Sequence, residues 1–108
     1  MSGVINVKEY DTIHIFCQYL DDDDIGIDLE GVNISSKVSS LGGTVYHTFD
    51  VQISDKSKGE FILFLDEGIL REGRYLVDIL FSSELTRRKV SSDTFQIDVQ
   101  KSITMGEP

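Results

Sequence analysis

Acidic side chains dominate the residues of this sequence that could do chemistry. Asp21-Asp22-Asp23-Asp24 is followed by Asp28 and Glu30, and a calcium ion takes roughly six to eight oxygen ligands, which clustered carboxylates can supply. The spacing is not that of an EF-hand loop. Consecutive aspartates cannot all turn toward one ion from an extended loop, and like charges this close favour water. Asp21, Asp22, Asp23, Asp24 and Asp28 therefore read as a solvated loop, and no metal or other cofactor is expected. His14 and His47, the two histidines, have no cysteine, histidine or carboxylate at ligand spacing. Cys17, expected to be buried, has no neighbouring base or helix N-terminus to lower its pKa, so it is not expected to act as a nucleophile. With no phosphate loop, serine elbow or zinc spacing, the inventory speaks against an enzyme.

Arg87-Arg88-Lys89 is the one basic cluster. Strand alternation would send Arg87 and Lys89 to one side, either as a charged edge that resists aggregation or as a docking patch for the acidic loop of a neighbouring copy.

The elements that must carry these residues are strands. The chain has 108 residues, enough for a single domain over 1–108, with a folded core over about 3–101 and a polar tail over 102–108. A net charge of −9 would repel a phosphate backbone, so nucleic acid is not an expected partner. A lone cysteine cannot form an internal disulfide, and nothing points to an oxidising compartment. Met1 to Glu9 carries an early acid and no apolar run, and no apolar stretch approaches the roughly 20 residues of a membrane helix, so neither secretion nor membrane insertion is expected.

Apolar residues recur at period two through nearly the whole sequence, which predicts half-buried strands. Expected strands run near Gly3 to Val7, Thr12 to Tyr19, Val32 to Ser40, Thr44 to Ser54, Glu60 to Leu65, Gly73 to Ser82, Thr86 to Ser91 and Thr94 to Lys101. Their expected inward residues include Ile13, Ile15, Cys17, Ile34, Val38, Phe49, Val51, Ile53, Phe61, Leu63, Leu65, Tyr75, Val77, Ile79, Phe95, Ile97 and Val99. Gly42-Gly43 predicts a hairpin and Asp55 to Gly59 a turn. Asp66 to Glu72 predicts a single helical turn ending in a plug, Leu70.

Leu70, Gly73 and Tyr75, followed by the alternation Val77, Ile79, Phe81, read as the approach to strand F of an immunoglobulin-like sandwich. There a corner tyrosine buries its ring and bonds its hydroxyl to backbone a few residues upstream. Val77 stands where antibody domains place the second cysteine of their disulfide, with Cys17 on the strand that would carry the first. The fold class predicted is an all-β, Ig-like antiparallel β-sandwich of seven to eight strands.

Across about Val7 to Val99, the order Asp11-Thr12, Asp28-Leu29-Glu30-Gly31, Gly59-Glu60-Phe61-Ile62-Leu63, Leu70, Gly73-Arg74-Tyr75 and Phe95-Gln96-Ile97-Asp98-Val99 resembles a small Ig-like domain of tailed-bacteriophage structural proteins, including the N-terminal part of baseplate upper proteins. The resemblance implies a non-enzymatic virion component, assembled in the host cytoplasm and docked in several symmetric copies on other virion proteins. A tail, baseplate or fibre-adaptor position is the first expectation and a capsid decoration protein the second. A carbohydrate-binding or adhesion sandwich is the alternative from another class, with Tyr10, Phe16 and Tyr46 as its candidate aromatics.

Overall fold

The computed structural model describes residues 3–43, 46–83, 87–92 and 94–101. Alternating sequence becomes strand throughout, and there is no helix among the described residues. Nine strands form among the described residues, in chain order: β1 (Val4–Lys8), β2 (Ile13–Gln18), β3 (Val32–Ser40), β4 (Tyr46–Thr48), β5 (Asp50–Asp55), β6 (Glu60–Leu65), β7 (Gly73–Ser83), β8 (Arg88–Ser91) and β9 (Phe95–Gln100). A six-stranded sheet has the order β1-β9-β7-β3-β4, with β8 also pairing β7, and a three-stranded sheet has the order β2-β6-β5. The inward residues of both sheets form one hydrophobic cluster, built around Val38, Phe61, Leu63, Val77 and Ile97, so the architecture is sandwich-like.

Several expectations need correction. The larger sheet is mixed, because β1 runs parallel to β9 from Val4 beside Gln96 to Lys8 beside Gln100. The count is nine strands because the expected strand Thr44 to Ser54 is two, of which Thr44 and Val45 lie outside the described residues. β4 pairs β3 in the larger sheet, whereas β5 pairs β6 in the smaller one. The chain changes sheets at Phe49, whose ring is buried and whose N–H donates to the Ser36 carbonyl at 2.9 Å. Ile53, expected inside, is 45% exposed; it lies on the edge strand β5, where a register shift separates its pairing with Phe61 from that of Asp55 with Glu60.

Asp66 to Glu72 forms turns and bends without a helical turn, and Gly68 at φ 74° lies outside the right-handed helical region. Leu70 is nevertheless buried, as the plug reading requires. Phe81 and Leu29, absent from the expected inward set, are buried as well.

Two glycine turns close opposite ends of the sandwich. Gly43 (φ 69°) closes the turn after β3, its N–H donating to the Ser40 carbonyl at 2.9 Å. Gly59 (φ 74°) closes the turn from β5 to β6, and a Cβ there would come within 2.6 Å of the Ile27 carbonyl and 2.7 Å of the Tyr19 carbonyl. That close approach lets the β2–β3 connection lie against the turn. Tyr19 N–H donates to Gly59 at 2.9 Å, Leu29 N–H to Lys56 at 2.9 Å, and the Gln18 side-chain amide to Lys58 at 3.0 Å.

Candidate functional site

The connection held down by Gly59 forms one wall of an open, largely apolar cleft of about 310 Å³, and the ends of β7 and β8 form the other. Tyr19 and Phe81 stack at its floor, ring centroids 4.0 Å apart and 15° from parallel, and Phe61 meets Phe81 edge-on at 5.8 Å. Val32 and Val90 extend the apolar surface, while Asp28, Glu30 and Arg88 supply charge at its lips. Glu30 accepts from Lys56 Nζ at 3.0 Å, and the Asp28 carboxylate accepts the Glu30 backbone N–H at 2.9 Å. Both acids are therefore tied to local structure. The aromatic floor is strand alternation turned to another use, which is why sequence reading did not single it out.

The basic cluster spans a turn and the start of β8. Arg87 lies before β8 in the left-handed backbone region, at φ 54°, so it does not alternate with Lys89 along a strand. Thr86, the first residue of the expected strand, lies outside the described residues. Arg88 stands opposite Ser83 and Lys89 opposite Ser82, so Arg88 faces the cleft and Lys89 the outer surface of the larger sheet. Arg87 therefore does not reach the side of Lys89 by strand alternation, yet both line one hollow with Arg88, Asn33, Ser82 and Ser83.

The acidic loop is organised from within. One Asp21 carboxylate oxygen accepts from the N–H groups of Asp23 at 2.9 Å and Ile25 at 3.0 Å, a pattern that shapes a tight loop. Asp22, Asp23 and Asp24 point into solvent, and no three metal-ligating side chains converge among the described residues.

At the other end of β7 the corner is built as the sequence suggests. The Tyr75 hydroxyl donates to the Arg71 carbonyl at 2.7 Å, and Gly73, at φ 150°, lies 3.8 Å from the Tyr75 ring when given a Cβ. Glu9, which sequence reading missed, ties this corner to β1. Its carboxylate accepts from the Glu72 N–H and from Arg71 Nε, each at 3.1 Å. The Glu72 N–H first, and then Arg71, hold the Glu9 carboxyl below its ordinary range.

Cys17 is only half-buried. It stands opposite Phe61, and its thiol contacts the Ile15 carbonyl at 3.6 Å. Burial pushes its pKa up to about 11, opposite to what a nucleophile requires. His47, half-buried, sits opposite Val38 on β4. Tyr46 and Phe16 lie on different sheets and Tyr10 in the turn after β1, so the three do not share a strand face.

The outer face of the small sheet is the least expected surface. Opposed residues share a face, and the pairing places His14, Phe64 and Asp50 in one row, Phe16, Ile62 and Gln52 in the next, and Gln18, Glu60 and Asp55 in the third. Phe16 is 79% exposed. The His14 ring packs on Phe64 at 4.8 Å. Every charged residue on these three strands is acidic. Among the described residues, both outer strands of this sheet, β2 and β5, pair on one side only.

No protein-family model and no curated protein matches the chain.

Proposed function

We propose that this chain is a non-enzymatic assembly domain, an Ig-like sandwich that serves as a structural component of a tailed-phage virion, in the tail or baseplate, by docking on neighbouring virion proteins. The strand order supports the Ig-like part. β2, β6 and β5 oppose β9, β7, β3 and β4, and the Tyr75–Arg71 bond sits where β7 begins, as in the tyrosine corner of that fold.

The observation that carries the docking role is the outer face of the small sheet, where the exposed Phe16 stands beside half-buried Ile62 and Phe64. Isolated surface apolar residues are ordinary, but a contiguous apolar face rimmed by polar groups marks an interaction surface. Its strands also leave two sheet edges open to a partner.

The test is the composition of purified virions. The chain is expected in them at a fixed ratio to the other structural proteins, and Phe16→Ser is expected to lower its incorporation without moving the melting temperature of the free domain. Recovery of the wild-type chain only outside particles overturns the virion assignment. Density for the chain on the head shell moves it from tail to capsid decoration.

A further inference from the structure

The two sheets differ in charge as well as size. The strands of the small sheet carry Asp50, Asp55 and Glu60 and no lysine or arginine. All the strand lysines and arginines, Lys8, Lys37, Arg74, Arg88 and Lys89, lie in the larger sheet, with Asp78 and Asp98 as its acids. Pairing puts Lys37 opposite Asp78 and Arg74 opposite Asp98, and Arg74 Nε is 3.8 Å from Asp98. Lys8 and Lys89 face outward beside uncharged Gln100 and Ser82. The same outer face exposes apolar surface along one row, from Tyr46 on β4 through Leu76 on β7 to Val4 on β1.

We propose that the outer face of the small sheet docks on the outer face of the larger sheet of a second copy of this chain, so that the contact repeats from copy to copy. The inference rests on the assembly reading above and names the partner. A contact between two small sheets would oppose acids to acids, whereas small on large sets Asp50 and Glu60 against a face with surplus lysine and seats Phe16 on exposed leucine, valine and tyrosine. Unlike surfaces in contact make the association heterologous, which propagates until a ring closes.

The net charge of −9 opposes any self-association. At 0.15 M salt, however, the Debye length is about 8 Å, so distant acidic loops are largely screened while charges brought together across the contact are not. Three strands of six residues cover on the order of 300 Å², well under the ~800 Å² per partner of a standard stable interface. One contact is therefore weak, and many copies in an array are required to hold it.

Sedimentation of the purified chain tests the proposal, with two variants disabled on one face each: Phe16→Asp on the small sheet, and Lys37→Glu with Leu76→Asp on the large. Wild type is expected to grow in mass between micromolar and millimolar concentration, and each variant to associate at least tenfold more weakly. An equimolar mixture of the two variants is expected to form dimers and stop, because one intact small face meets one intact large face. Unchanged melting temperatures verify that both variants fold. Wild type that stays monomeric at millimolar concentration, a mixture no larger than its components, or normal association by either variant alone overturns the proposal. Self-association without virion incorporation supports this contact while overturning the virion assignment; incorporation without self-association does the reverse.

Discussion

The two ends of β7 put the same materials to different uses. At its start, Tyr75, Leu70, Arg71 and Glu9 form a closed corner in which the aromatic hydroxyl, the guanidinium and the carboxylate all have partners. At its finish, Phe81 and Tyr19 stack beneath an open cleft with Arg88 on its lip. An aromatic residue opens or seals a sandwich according to what covers it. The corner end should therefore govern stability, and the cleft end should tolerate change except where backbone positions its walls.

The largest expected effect is at the corner. Leu70→Ala empties a buried site and should cost about 2–5 kcal/mol, read from chemical denaturation; a loss under ~1 kcal/mol would show that the plug does not close the core. Gly59→Ala probes the backbone that holds the cleft wall. A left-handed alanine costs about 1–2 kcal/mol, and its Cβ would also crowd two carbonyls, adding about 1–3 kcal/mol of overpacking. If Gly59→Ala proved neutral, the cleft end would be looser than described.

Tyr75→Phe leaves the Arg71 carbonyl without its hydroxyl donor and should cost about 1–3 kcal/mol if no water replaces it. A melting curve indistinguishable from wild type would mean that solvent already serves that carbonyl.

Glu9 sharpens the comparison through pH. Its carboxyl is held low in the folded state by the Glu72 N–H and Arg71, so the unfolded chain binds that proton more readily and stability rises with pH. The contribution is present above the ordinary carboxylate range and lost as pH falls through the lowered folded value. Glu9→Gln should lower the melting temperature at neutral pH and converge on wild type in acid; parallel curves would discount the tie between β1 and the corner. The smallest effect is expected from Arg88→Ala on the cleft lip, within about 0.5 kcal/mol, and a larger loss would make the cleft a structural element.

Much of the corner was legible because its parts are local: Leu70, Gly73 and Tyr75 span one turn, and alternation along β7 fixes which way the ring points. Glu9 was illegible because its partners lie 62 and 63 residues away. The sheet change at Phe49 was hidden for another reason. His47, Phe49, Val51 and Ile53 keep period two across the crossing, and a period reports which face is buried but not which sheet the backbone joins.

The same blindness concealed the cleft and the small-sheet face. Tyr19 and Phe81 stand at the ends of their alternating runs and were not among the expected inward residues, while Phe16, Ile62 and Phe64 became a surface only once β2 and β6 were paired in register. For Arg87 to Lys89, one left-handed residue places Arg87 before the strand, where alternation no longer says which way its side chain points.

The parallel pairing of β1 with β9 also determines how the domain meets mechanical force. Residue 3 enters that ladder beside Gln96, and residue 101 leaves it beyond the end of β1. Tension between the two flanks therefore pulls the strands past one another lengthwise. All bonds of the ladder bear that shear together, whereas a hairpin pulled at its open end parts one bond at a time. A particle that transmits load through both flanks of this domain would strain its parallel edge before its core.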